Sequence, residues 1–310
     1  MAVPRSEYLS NVWKEGIFDN KVVFCTGGGG TICSAQVRAL VHLGANACII
    51  GRNVEKTENM AKSIATAREG AKVIGIGAVD VRKLDDLEGA VERCVKELGT
   101  IDYVIAGAAG NFLAPIAGLS SNAFRSVLEI DTLGSYNTLK ATLPHLIASA
   151  AKNPNTGTNA STGGRIIFLS ATFHYTGMPL QAHAAAAKAG VDALSATAAI
   201  EFGPRGITSN VITPGPIAGT EGMERLGNRD DESQGTAFKR VPLQRYGTVK
   251  EIADGTVYLF SDAGNYVTGE VLVIDGASWR SPSSLGGLEY PGFLLDDTFE
   301  RNGGKKKSKL

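Results

Sequence analysis

Lys188 sits in Ala184-Ala185-Ala186-Ala187-Lys188-Ala189-Gly190, with small residues on every side. Its ammonium can therefore approach a bound group closely. Four residues earlier, on the same helical face, stands Ala184. A phenol at that spacing would have its pKa lowered by the ammonium, but alanine offers no proton. Tyr175 lies thirteen residues before Lys188 and cannot take that place by helix geometry. Asp131, in Ile130-Asp131-Thr132-Leu133-Gly134, is a carboxylate suited to acid–base work. If it is close to Lys188, the lysine's charge favours its ionised form. Asn111 ends the small-residue run Ala106-Gly107-Ala108-Ala109-Gly110-Asn111 and offers an amide donor to a developing oxyanion. Plainer roles stay open. Asp131 also fits a hydrogen-bonded helix carboxylate, Asn111 a turn former and Lys188 a solvated helix residue. His174 and His183 read as structural.

A second group of residues points to phosphate. Thr26-Gly27-Gly28-Gly29-Gly30-Thr31-Ile32-Cys33 follows an apolar run and opens a helical pattern. Glycines there let backbone N–H groups reach a pyrophosphate at the positive end of a helix. The next apolar run ends Ile49-Ile50-Gly51-Arg52-Asn53, with no carboxylate before Glu55. An acidic residue at that point would bond a ribose 2′-hydroxyl, whereas Arg52 can pair with a 2′-phosphate. This favours NADPH over NADH, against the plainer reading of Arg52 as a solvated strand end. Asp80, before Val81 and Arg82, can accept from an adenine amino group. Ala108 and Gly110 permit close approach, and Pro214-Gly215-Pro216-Ile217 ends another apolar run.

These residues need a scaffold that gathers strand ends. Strands are expected at Lys21–Thr26, Ala47–Ile50, Lys72–Val79, Ile101–Ala106, Arg165–Ser170, Thr208–Ile212 and Val271–Asp275. Helices are expected at Ser34–Leu43, Val54–Arg68, Lys83–Leu98, Ala123–Ser149, Ala184–Phe202 and Val249–Ser261. Mostly uninterrupted apolar strands alternating with helices predict an α/β fold, a Rossmann-like doubly wound parallel sheet of about seven strands covered on both faces. Residues 1–17 read as an N-terminal extension, 18–280 as one nucleotide-binding domain and 281–310 as a tail. Lys152–Gly164 is polar and unpatterned and reads as a surface loop.

The chain has 310 residues, 43% hydrophobic, which excludes global disorder. Lys+Arg and Asp+Glu are both 31, so no sequence-wide basic field for nucleic acid exists. No apolar run is long enough for a membrane span. Cys25, Cys33, Cys48 and Cys94 lack metal spacing, and Cys25 and Cys48 read as buried thiols, so no metal site is expected. The chain ends Lys305-Lys306-Lys307-Ser308-Lys309-Leu310, and a terminal S-K-L is an address read by the peroxisomal import receptor.

The glycine turn, Asp80-Val81, AGAAGN, Lys188 and the PGPI turn together resemble the short-chain dehydrogenase/reductase family, over roughly Phe18 to Trp279. Two departures stand out. Thr31 and Cys33 occupy the second and third glycine positions of the family's T-G-x-x-x-G-x-G turn. Ala184 replaces the tyrosine of its Y-x-x-x-K pair. The segments AGAAGNFLAPIAGLSSNAF, EIDTLGSYN, LSATFHYTGMPLQAHAAAAKAGVDAL and PLQRYG are similar to one branch, the peroxisomal 2,4-dienoyl-CoA reductases of fungal type. Those enzymes also lack the tyrosine.

The resemblance implies that Asp131 holds a water as proton donor, with roles for Asn111 and Lys188. It implies substrate contacts at Phe112, Ser120, Ser121 and Asn122, with Arg52, Arg82 and Arg225 toward the CoA phosphates. Glu221–Arg240 would be a substrate lid. The implied substrate is a 2,4-dienoyl-CoA thioester and the implied assembly a homodimer or homotetramer. Two other readings remain at this stage: a reductase of another acyl-CoA or ketone, and a cofactor-binding scaffold without catalysis.

Overall fold

Seven short runs rich in β-branched residues pair into one sheet. They are β1 (Val22–Thr26), β2 (Asn46–Ile50), β3 (Val73–Ile76), β4 (Tyr103–Ala106), β5 (Arg165–Leu169), β6 (Thr208–Pro214) and β7 (Val271–Ile274). Their spatial order is β3-β2-β1-β4-β5-β6-β7 and all neighbours are parallel. The register places Val23 beside Ala47 on one side and beside Tyr103 on the other. The computed structural model describes residues 3–155, 157, 163–226 and 237–281, with the backbone alone at 224–226 and 237. The targeting tail Lys305–Leu310 lies outside the described residues.

Parallel neighbours require crossovers, and helices supply them. They are α1 (Thr31–His42), α2 (Val54–Ala65), α3 (Leu84–Leu98), α4 (Ser121–Leu128), α5 (Gly134–Ala151), α6 (Phe173–Thr176), α7 (Ala182–Phe202), α8 (Glu221–Leu226) and α9 (Val249–Phe260). Alternation along β1 divides the core. Val23 and Cys25 face α1, α2 and α9, while Val22 and Phe24 face α3, α5 and α7. Both faces of the sheet are thus covered, as the strand composition requires. Local chemistry fixes several helix ends. Asn53 caps α2 by accepting from Lys56 N at 2.8 Å, Ser120 caps α4, and Thr248 with Glu251 forms a capping box on α9.

Two features differ from the sequence expectation. The single helix expected over Ala123–Ser149 is interrupted by a π-helical turn at Glu129–Leu133, between α4 and α5. The widened turn turns Asp131 inward, and Thr132 Oγ1 donates to Ala187 O at 2.9 Å. No proline or glycine inside that turn announces it. The N-terminal segment also packs against the body. Tyr8 and Leu9 are buried in the α1/α9 core, and Trp13 Nε1 donates to Asp254 Oδ1 at 2.8 Å.

Strand order reverses between β1 and β4. Open α/β sheets bind ligands at the carboxyl ends of strands beside such a reversal. A ligand site is therefore expected at the ends of β1, β4, β5 and β6.

Candidate active site

A cleft of about 390 Å³ opens at those strand ends. One end of it is the β1–α1 turn. Gly27 has φ +69°, and a Cβ there would lie 2.9 Å from Ala108 Cα. A Cβ on Gly28 would lie 2.5 Å from Ile49 Cβ. Glycine is therefore needed for both conformation and space. Ser34 N bonds Gly30 O at the first turn of α1. That leaves the amides of Thr31, Ile32 and Cys33 without an intrahelical partner at the cleft. Thr26 Oγ1 accepts from Gly107 N at 3.1 Å and Ala108 N at 3.3 Å, stitching the ends of β1 and β4 together.

Cys33 explains how the turn tolerates losing a glycine. Its sulfur sits against β4, 3.8 Å from Gly107 O. A Cβ on residue 107 would lie only 2.3 Å from that sulfur. Glycine at 107 is what gives the Cys33 sulfur its room. All four cysteines are buried.

The reacting end joins three elements. The π-helical turn supplies Asp131, α7 supplies Lys188 and the β4 end supplies Gly110. Lys188 Nζ lies 2.9 Å from Asp131 Oδ2 and donates to Leu169 O at 3.0 Å. Asp131 Oδ1 accepts from Gly110 N at 2.7 Å. Asn111 lines the cleft, and its Oδ1 accepts from Phe112 N at 2.8 Å, which leaves its Nδ2 as the amide's donor end. Ala184 and Phe173 line the wall where a phenol would otherwise stand.

Tyr175 is engaged elsewhere. Its hydroxyl donates to Asp192 Oδ2 at 2.6 Å, and His174 Nε2 lies 2.8 Å from the same oxygen. Burial and the Asp192 carboxylate push the phenol well above its ordinary pKa, so Tyr175 is a poor acid. Burial opposes ionisation of Asp192, but the hydrogen bonds with His174 and Tyr175 help outweigh it and hold the carboxyl below its ordinary value. His183 Nε2 lies 2.9 Å from Phe112 O, a structural role.

The expected residues distribute as follows. Gly27, Gly30, Thr31, Ile32, Gly110, Asn111, Asp131, Lys188 and Pro214 line the cleft. Gly29 lies just outside it, beside the Lys56 side chain, whose Nζ pairs with Glu221 Oε1 at 2.7 Å. Arg52 is exposed at the end of β2. Asp80 is tied to Arg82, whose hydrogen bonds hold its carboxyl below the ordinary range, with Arg52 adding its charge. Val81 and Ile217 bury their side chains in the core, and Gly215 makes room for Asp275. Ser120 is engaged as the α4 cap, with Ser121 and Asn122 exposed on its first turn. Phe112 stacks on His183 with ring centroids 4.2 Å apart. Arg225 lies on α8 with its side chain outside the described residues, and of the expected lid Glu221–Arg240 residues 227–236 lie outside them too.

Sequence reading did not single out Ser170, Phe173 and Thr220, which line this cleft. Ser170 directly after β5 carried a positional signal, whereas Phe173 and Thr220 lie further from the strand ends. A hollow of about 420 Å³ between Trp13, Tyr103 and Phe260 lies at the opposite, amino ends of the strands, away from this chemistry.

The cradle suits a dinucleotide: close-packed glycines, free helix-start amides and a lysine at the far end. The family profile described as enoyl-(acyl carrier protein) reductase matches residues 30–277. The chain belongs to the short-chain dehydrogenase/reductase family. It is 48% identical to the peroxisomal 2,4-dienoyl-CoA reductase of Saccharomyces cerevisiae, over 91% of this chain and 92% of the yeast protein. It is 40% identical to the enzyme of the same name from Danio rerio, over 89% and 87% of the two chains. Both relatives are named as (3E)-enoyl-CoA-producing. Among solved structures, levodione reductase superposes with a TM-score of 0.76 at 26% identity, covering 85% of this chain and 99% of the other. NAD+-bound xylitol dehydrogenase gives 0.75 at 27% identity, covering 84% and 99%.

Proposed function

We propose that this chain is a peroxisomal reductase that converts 2,4-dienoyl-CoA to 3-enoyl-CoA with NADPH, a step in the β-oxidation of unsaturated fatty acids. The observation that carries the reading is the Asp131–Lys188 pair at the cleft, with Ala184 one turn before Lys188 on α7. Reduction of a ketone puts charge on oxygen and calls for an acid at the position alanine occupies. Conjugate reduction ends with a proton on carbon, which a held water can deliver. The names of the relatives agree.

NADPH, when bound, supplies a hydride for the δ-carbon of the diene. The chain's residues do the rest. The glycine turn and the first amides of α1 hold the pyrophosphate, and Arg52 pairs with the 2′-phosphate. Lys188 orients the nicotinamide ribose and pairs with Asp131. As electrons move onto the thioester oxygen, Asn111 Nδ2 stabilises the developing oxyanion. Asp131 has lone pairs beyond those taken by Gly110 N and Lys188, so it can hold a water. That water, oriented by Asp131, protonates the α-carbon, leaving the double bond at the 3-position, and the hydroxide left behind regains a proton from solvent through the open cleft. Thr220 and Glu221 bound the cleft on the α8 side.

The terminal S-K-L supports recognition by the import receptor. Exposed Leu133 and Tyr136 at the start of α5, and Ile200 on α7, support assembly into a homodimer or homotetramer. Purified protein with NADPH and 2,4-hexadienoyl-CoA, followed by loss of dienoyl absorbance, tests the activity. NADPH binding without turnover would overturn it.

A further inference from the structure

Two loops beside the reacting end carry exposed apolar side chains that neither the core nor the chemistry uses. The loop after Asn111 carries Leu113 and Ile116, and the loop between α6 and α7 carries Met178 and Leu180. All four are exposed, Ile116 by 78%. The loops form one surface. Ala114 N donates to Leu180 O at 3.1 Å, and the Phe112–His183 stack braces their bases. Both spring from cleft-lining positions, the first from Asn111 and the second from between Phe173 and Ala184. Leu180 has φ +67°, a conformation costly for leucine. The strain does not serve to bury its side chain, which stays in solvent. Strain of this kind gathers at ligand-contacting segments.

We infer that this rim binds the saturated remainder of the acyl chain and selects for longer thioesters. The inference rests on the dienoyl-CoA reading of the site. A cleft of about 390 Å³ must take the nicotinamide as well as the thioester and diene. The CoA leaves at one end of the reacting carbons and the alkyl remainder at the other, beside the δ-carbon. An alkyl chain leaving past Phe173 and Ala184 meets Met178, Leu180, Leu113 and Ile116 in turn. Covering such surface strengthens binding about fourfold per buried methylene.

The test compares kcat/KM for 2,4-decadienoyl-CoA and 2,4-hexadienoyl-CoA in the full-length protein, with an Ile116→Ser/Met178→Ser variant and with Leu180→Gly. Glycine suits the backbone at 180, so that variant removes the side chain without straining the fold. Each variant should lose about tenfold with decadienoyl-CoA, the equivalent of one or two methylenes, and stay within about twofold with hexadienoyl-CoA. An unchanged ratio of the two substrates overturns the inference. An equal loss on both, with altered sedimentation, overturns it in favour of a contact between copies of this chain. No turnover of hexadienoyl-CoA by the unaltered protein would sink the reductase reading itself. The rim is then judged by binding of saturated decanoyl-CoA, and unchanged affinity in the variants overturns it.

Discussion

Asp131 is held from two sides: Lys188 Nζ lies 2.9 Å from one carboxylate oxygen, and Gly110 N donates to the other at 2.7 Å. The pair is buried, with the Asp131 side chain 1% exposed. Removing one partner of such a pair leaves an uncompensated charge, at a cost of about 3–5 kcal/mol. Asp131→Asn keeps an acceptor for Gly110 N while removing the charge that orients water. Turnover of 2,4-hexadienoyl-CoA should fall by about 10²–10⁴. NADPH affinity, read by fluorescence titration, should change much less. Unchanged turnover would remove Asp131 from the proton route. Lys188→Met should weaken NADPH binding as well, which separates the two roles.

The Cys33–Gly107 contact predicts a compensating pair. Gly107→Ala drives a methyl to within 2.3 Å of the Cys33 sulfur. Overpacking of this kind destabilises by about 1–3 kcal/mol. Cys33→Ala removes the sulfur and should restore part of that loss in the double variant. Urea unfolding of the four proteins gives the coupling, and strictly additive effects would contradict the complementarity.

Arg52 is the exposed cation at the end of β2, where the adenosine ribose binds in folds of this kind. Arg52→Ala should lower kcat/KM for NADPH by about tenfold or more, because a charge-assisted pair of about 1.5–3 kcal/mol is lost. The value for NADH should hardly move. Equal falls for both cofactors would assign the 2′-phosphate to another cation.

Much of this arrangement was legible in the residues. Uninterrupted apolar strands and glycine-bearing strand ends define the sheet and its switch point, because burial and backbone approach depend on residue type. Asp131 and Lys188 could be named, but their pairing could not. It depends on a π-helical turn stabilised by tertiary contacts such as Thr132 to Ala187, which leaves no periodic trace. The Cys33 substitution reads as a defect in the turn until Gly107 is seen opposite it. Such compensation joins residues 74 positions apart and is invisible to local pattern. The docking of Tyr8 and Leu9 was hidden for the same reason. Their segment carries no strand or helix period, and its burial depends on α1 and α9.

Acid sensitivity follows from the start of α9. Arg245 bonds both oxygens of Glu251, Nη2 to Oε1 at 2.5 Å and Nη1 to Oε2 at 2.9 Å. These bonds, opposed by partial burial and helped by Thr248, bring the Glu251 carboxyl from 4.5 down to about 2. A folded value below the unfolded one means that the ionised carboxylate stabilises the native state. That contribution is complete above about pH 4.5 and disappears as pH falls through about 2. Both side chains are substantially solvated, so screening makes the effect modest and salt-sensitive. Glu251→Gln should lower the melting temperature at neutral pH, through loss of the ion pair and weakening of the capping box. The difference from the unaltered protein should shrink steadily as melts are repeated toward about pH 2. A constant difference across that range would show that the capping geometry, rather than the charge, carries the stabilisation.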